Sequence, residues 1–211
     1  MDTELKSALK TGTTILGIVC KDGVVMAADN RATAGNVVMS KIEKKVFSIN
    51  DYLVVAGCGL AAEIQKIPKY LAAELKLKEL RSKSRPTIQQ AAGLLSNLRG
   101  SGQSAFLIGG FDEDGKVSLY SSDPAGHIIE VEDFDANWGS GMPFVLGLLE
   151  RQYKKGLSVE EGVKLAIECI KSSTQRDTAS GNGIDVFTIT KEGIKKVVRQ
   201  LILPEYVNEK N

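Results

Sequence analysis

The chain has 211 residues, 43% of them hydrophobic and 25% charged, with a net charge of +1. That is length enough for one domain with an ample core, and a near-neutral balance offers no electrostatic reason to expect nucleic acid or an anionic membrane as partner. The single histidine, His127, all but excludes Ser-His-Asp, Cys-His and His-rich zinc chemistry, so any reaction must run on Thr, Ser, Lys, Asp or Glu.

The first twelve residues lack the apolar core of a signal peptide, and no apolar run reaches the length of a bilayer span. The chain then enters Lys10-Thr11-Gly12-Thr13-Thr14-Ile15, where a Gly-Thr junction precedes an apolar strand. Thr13 to Cys20 and Gly23 to Asp29 read as a hairpin turning at Lys21-Asp22-Gly23. Both runs are apolar in succession rather than alternating, which predicts strands covered on both faces. Val46 to Ile49 and Tyr52 to Cys58 form a second hairpin around Asn50-Asp51.

The period then changes. Ile64, Ile67, Leu71 and Leu75 define a helical face, interrupted in principle by Pro68. Thr87-x-x-Gln90 has capping-box form and opens a second helix through Ile88, Ala91, Leu95 and Leu98, stopped by Gly100-Ser101-Gly102. Strands resume at Ser104 to Ile108, Lys116 to Ser121 and His127 to Val131, between the turn signals Asp114-Gly115 and Asp123-Pro124-Ala125-Gly126. Two further helices start near Pro143 and at the Ser158-x-x-Glu161 cap. A last hairpin, Ile184 to Thr190 and Ile194 to Arg199, closes the fold. Strands, two helices, strands, two helices, strands is the order of an α+β, four-layer α-β-β-α sandwich. The odd and scattered Cys20, Cys58 and Cys169 read as reduced, buried thiols of a cytoplasmic protein.

Cleavage between Gly12 and Thr13 would leave a threonine carrying both a hydroxyl nucleophile and an amine base. Asp29 ends an apolar strand, where a carboxylate is costly unless paired. Lys45 opens another strand. Were the two to meet beside Thr13, the lysine charge would favour deprotonation of both Thr13 groups and Asp29 would hold that charge. Gly57-Cys58-Gly59 lies at a strand-to-helix junction, where a backbone N–H can face a developing oxyanion. Asp177, Ser180 and Ser140 sit in small polar loops able to orient a terminal amine and a water.

With these pieces placed, the sequence strongly resembles proteasome β-subunits of the archaeal type, from Gly12 to about Gly193. The resemblance rests on Thr11-Gly12-Thr13-Thr14, Asp29-Asn30-Arg31-Ala32-Thr33-Ala34-Gly35, Lys44-Lys45-Val46-Phe47, Gly139-Ser140-Gly141, Leu149-Glu150 and Arg176-Asp177-x-Ala179-Ser180-Gly181. It implies the N-terminal-nucleophile hydrolase fold, a leader at residues 1–12 removed by self-cleavage, and a catalytic domain at 13–211. By that resemblance Thr13 is the nucleophile, Lys45 held by Asp29 tunes it, and the Gly59 N–H binds the oxyanion. Ser140, Asp177 and Ser180 position the amine and the water, and neither metal nor cofactor is needed. Thr33 and Gly35 would pair with extended substrate, and Ala32, Glu43, Phe47, Gly57, Ala61 and Gln65 would line the specificity pocket. Gly57 would leave that pocket roomy, and an inward Glu43 would favour a basic residue.

The implied partners are other β-subunits in a seven-membered ring, α-subunit rings, a regulatory ATPase acting through them, and unfolded protein substrates. The loop Arg99 to Ser104 is shorter than the family norm, and Cys58 stands where a smaller residue is usual. A structural ring subunit that keeps its leader is the alternative reading. The bacterial two-component protease of the same fold fits less well, given the polar leader and the Arg176-Asp177-x-Ala179-Ser180-Gly181 stretch.

Overall fold

The computed structural model describes residues 12–98 and 102–202. The expected leader before Gly12, the Gly100-Ser101 helix stop and the polar tail beyond 202 lie outside those residues. In chain order the elements are β1 (Ile15–Cys20), β2 (Gly23–Asp29), β3 (Ala32–Ala34), β4 (Val37–Ser40), β5 (Val46–Asn50), β6 (Leu53–Cys58), α1 (Ala61–Ser82), α2 (Ile88–Leu98), β7 (Ala105–Phe111), β8 (Val117–Ser122), β9 (Ile128–Val131), β10 (Phe134–Asp135), α3 (Met142–Gln152), α4 (Val159–Arg176), β11 (Gly183–Thr190) and β12 (Gly193–Leu201).

Two antiparallel five-stranded sheets, ordered β10-β1-β2-β11-β12 and β5-β6-β7-β8-β9, form the middle of the molecule. Between them pack Ile15, Val24, Met26 and Ala28 of one sheet against Val54, Ala56, Leu107 and Leu119 of the other. The opposite parity of the first sheet, Leu16, Ile18, Val25 and Ala27, meets Val145 and Leu149 of α3 and Leu165, Ala166, Cys169 and Ile170 of α4. Leu53, Val55, Phe106 and Ile108 of the second sheet meet Ile67, Leu71 and Leu75 of α1 and Ile88, Ala91 and Leu95 of α2. Hence the four layers, and hence the unbroken apolar runs: every residue of β2 is buried because it has a sheet on one side and helices on the other. At two positions between the sheets a side chain does not fit. A Cβ on Gly17 would lie 2.8 Å from Leu119 Cδ2, and one on Gly109 2.8 Å from Met26 Sδ.

Several local expectations are met in detail. Ser158 Oγ accepts from Glu161 N while Ser158 N donates to Glu161 Oε2 at 2.7 Å, a complete capping box on α4. Gln90 N likewise donates to Thr87 Oγ1. All three cysteines are free and buried. No helix among the described residues is long and apolar enough to cross a membrane.

Others are revised. The β1–β2 connection is Lys21-Asp22, and Gly23 already pairs with Cys20 in the ladder. Glycine is required there by crowding, since a Cβ would lie 2.4 Å from the Ile189 carbonyl oxygen. Pro68 does not break α1, which runs unbroken through it with Pro68 among its buried residues. The loss of one N–H is offset by the apolar face that continues on either side. The β3–β4 hairpin has no counterpart in the sequence reading. Its Val37, Val38 and Met39 are exposed, so the apolar alternation that marks a half-buried strand is missing. Strand β10, two residues pairing Phe134 with Ile18 and Asp135 with Gly17, is too short to leave a pattern.

Candidate active site

The site is assembled at the ends of the two inner sheets. Thr13 precedes β1, Asp29 ends β2, Lys45 precedes β5, and the loop after α4 supplies Asp177 and Ser180. Thr13, Asp29 and Ser180 are fully buried and Lys45 is 2% exposed.

Asp29 is the hub. Its Oδ1 accepts from Lys45 Nζ at 2.7 Å and from Thr14 N at 2.8 Å. Its Oδ2 accepts from Arg31 N and Gly181 N, each at 2.9 Å. Four donors, one of them an ammonium, satisfy a carboxylate that would otherwise be prohibitively costly inside the sandwich. The same bonds tie together β1, the β2 end, the lysine and the loop after α4.

Lys45 Nζ also donates to the Gly12 carbonyl at 3.3 Å. Thr13 Oγ1 donates to that same oxygen at 2.7 Å. The peptide oxygen at the Gly-Thr junction is therefore held by a cation on one side and by the adjacent hydroxyl on the other. The Gly12 N–H donates to Thr33 Oγ1 at 3.1 Å, which pins the junction from its other end.

Behind Thr13 runs a chain of hydroxyls. Thr13 N donates to Ser140 Oγ at 3.0 Å, and Ser140 Oγ donates to Asp177 Oδ2 at 2.6 Å. Ser180 Oγ reaches the same Asp177 oxygen, also at 2.6 Å. These are the short distances of charge-assisted bonds. Ser180 Oγ lies 2.8 Å from Thr14 Oγ1, which lies 2.9 Å from Ser173 Oγ. Thr14 Oγ1 gives its proton to Ser173 Oγ, whose own goes to the Ile170 carbonyl, and in the Thr14–Ser180 contact either hydroxyl could be the donor.

Gly59 sits at the bend between β6 and α1 with φ +114, and a Cβ there would lie 2.2 Å from the Gln103 carbonyl oxygen. Only glycine fits this turn, directly before the N-terminus of α1. Beside it the Cys58 thiol is pushed up to about 12 by burial, which makes it inert.

Of the residues expected to line a specificity pocket, Phe47 and Gly57 lie on the helix-facing side of the second sheet. Phe47 pairs with Val55, whose parity faces α1, and Ala61 and Gln65 stand one turn apart at the start of that helix. Gln65 Nε2 donates to Glu43 Oε1 at 3.1 Å, so the half-buried Glu43 carboxylate is already engaged. Ala32 is buried in β3. Gly57 does not leave open room. A Cβ there would lie 2.8 Å from Phe106 Cε1, so the ring of its cross-strand partner fills the space. Gly35 is at the exposed tip of the β3–β4 hairpin with φ +56, where the turn itself calls for glycine.

The roles of Thr14, Ser173, Arg31 and Asn182 in holding the site were not read from the sequence, although Thr14 and Arg31 stand within the motifs quoted above. Arg31 Nε donates to Asn182 Oδ1 at 2.8 Å and its Nη1 to the Thr178 carbonyl at 2.8 Å, clamping the loop that carries Asp177 and Ser180. The Thr13-Thr14 pair was a signal that could have found Thr14. Nothing local marked Ser173, buried on a helix 159 positions away in sequence. Among the described residues no three His, Cys, Asp or Glu side chains gather as a metal site.

A four-layer α-β-β-α sandwich of two antiparallel sheets is the fold of the N-terminal-nucleophile hydrolases. The family model of proteasome subunits matches residues 9–189, and the chain belongs to that family. It is 44% identical over 190 residues to proteasome subunit beta 1 of Thermococcus kodakarensis, covering 88% of this chain and 92% of that one. The corresponding subunit of Thermococcus onnurineus is 46% identical over 196 residues, covering 90% and 95%. Proteasome subunit beta of Methanocaldococcus vulcanius is 38% identical over 205 residues, covering 95% and 92%.

Proposed function

We propose that this chain is the threonine endopeptidase subunit of a proteasome core particle, made as a precursor and activated by its own Thr13. The observation that carries this reading is the convergence of Thr13 Oγ1 and Lys45 Nζ on the Gly12 carbonyl oxygen. Lys45 polarises the carbonyl, and Thr13 Oγ1 attacks its carbon. The tetrahedral centre collapses with rupture of the Gly12–Thr13 C–N bond. The hydroxyl proton passes to the departing nitrogen, and an ester joins Gly12 to Oγ1. Water hydrolyses that ester, freeing the leader as a carboxylate and leaving Thr13 with a free amine.

In turnover the amine takes over as base. It accepts the Oγ1 proton as that oxygen attacks a substrate peptide and returns it to the leaving amine, and water then hydrolyses the acyl ester, releasing a carboxylate and restoring the Thr13 hydroxyl. Ser140, fixed by Asp177, holds the amine in place, and Ser180 fixes Asp177 from the other side. Asp29 keeps Lys45 charged and aimed. The Gly59 N–H, beside the α1 N-terminus, is assigned to the oxyanion. Thr33, which holds the backbone N–H of Gly12, is assigned the same grip on substrate.

The working form on this reading is a ring of seven β-subunits stacked on a second ring and capped by α-subunits. A regulatory ATPase would feed unfolded chains to it in the cytoplasm. Exposed Val37, Met39 and Ile42 are apolar surface that neighbouring subunits would cover. The test is the intact mass of the subunit after co-expression with its α partner. Loss of the first twelve residues, abolished by Thr13→Ala, is the expected result. A leader retained in completed double rings would make the chain a structural subunit instead.

A further inference from the structure

Ala179 stands where a side chain on Gly12 would have to go. A Cβ built on Gly12 lies 1.7 Å from Ala179 Cβ, 2.9 Å from Ala179 Cα and 3.0 Å from Ser140 Oγ. A methyl has no rotamer to move to, and the Ala179 backbone is anchored by its N–H on Asp177 Oδ1 at 3.2 Å. Gly12 cannot retreat easily, since its N–H is held by Thr33 and its carbonyl by Lys45 and Thr13. The crowding by itself calls for a glycine at this position.

We propose that Ala179 is the residue that restricts self-cleavage to a glycine at the last leader position. The inference rests on the precursor reading above and adds to it a named specificity determinant. It also separates the two reactions of the site. A substrate residue with a side chain cannot lie as Gly12 lies, so it reaches Thr13 with its Cα turned or displaced away from Ala179. Leader removal and substrate cleavage are then read by different walls of the site.

The test compares Gly12→Ala, Ala179→Gly and the double variant with the parent, following leader release by intact mass after co-expression with the α partner. Gly12→Ala is expected to slow release by about ten- to a hundredfold, the usual consequence of forcing a methyl into filled space. The double variant is expected to recover part of that loss, because the 1.7 Å clash with the Ala179 methyl is gone while the 2.9 Å contact with the 179 Cα remains. Release from Gly12→Ala at the parent rate, or a double variant no faster than Gly12→Ala, overturns the proposal.

A second measurement does not depend on catalysis. In a Thr13→Ala background, Gly12→Ala should lower the melting temperature and Ala179→Gly should restore it. A parent that keeps its leader refutes the precursor reading alone, and the melting series then decides the role of Ala179. No melting difference in that case overturns it.

Discussion

Replacing Asp29 by asparagine tests the centre of the site most directly. The carboxylate accepts four hydrogen bonds, two on each oxygen, at zero exposure. Asparagine offers one acceptor oxygen and one donor nitrogen of nearly the same shape. Whichever way its amide is turned, two buried donors face an N–H₂, and Lys45 loses its counter-charge. Each orphaned donor costs roughly 1–3 kcal/mol, and removing one partner of a buried ion pair costs about 3–5 kcal/mol. These overlap, because Lys45 is itself one of the donors, so the expected loss is about 4–6 kcal/mol.

That is a large share of the roughly 5–15 kcal/mol that holds a domain together. At this size it lowers the melting temperature by roughly 10–20 °C. The assay is thermal and urea unfolding in a Thr13→Ala background, so that leader release does not change the species under test. Adding Lys45→Met to Asp29→Asn should recover about 2 kcal/mol, because the uncompensated charge is then gone. A loss below about 1 kcal/mol for Asp29→Asn, or no recovery in the double variant, would refute the account of Asp29 as a buried charge hub.

Thr33→Val removes the acceptor for the Gly12 N–H while keeping the volume of a buried side chain, so leader release should slow by roughly two- to tenfold; an unchanged rate means that Thr33 does not hold the junction. Burial pushes the thiols of Cys20, Cys58 and Cys169 up to about 12. Ellman's reagent at pH 8 should therefore label none of them in the native protein and all three after denaturation, and native labelling would contradict their burial. Because these values are raised on folding, their contribution to stability is complete below the ordinary thiol value of 9.0 and is lost as pH rises toward about 12. Alkaline unfolding that begins well below pH 9 would need another cause.

Much of the architecture was legible in the residues themselves, because local physics and tertiary demand agree there. Doubly covered strands show as unbroken apolar runs, as in β2, and the α4 cap shows as Ser158-x-x-Glu161 because side-chain reach spans only a turn. That Thr13, Asp29, Lys45, Ser140, Asp177 and Ser180 belong to one site was expected from resemblance to a family, and their hydrogen bonds do join them. A polar residue ending an apolar strand, as Asp29 does, was a physical signal as well.

What the linear order could not decide is which distant atoms share a donor. That Thr14 links Asp29 to Ser173 and Ser180 depends on β1, β2 and α4 converging, over separations of 15 to 166 positions. Likewise Gly23, Gly57 and Gly12 look alike as letters. Only packing reveals that the first is crowded by a carbonyl, the second by the Phe106 ring and the third by the Ala179 methyl. Periodicity records which face of an element is covered, because burial repeats with the backbone. It carries no trace of what covers it, as the Ala179 methyl against Gly12 illustrates.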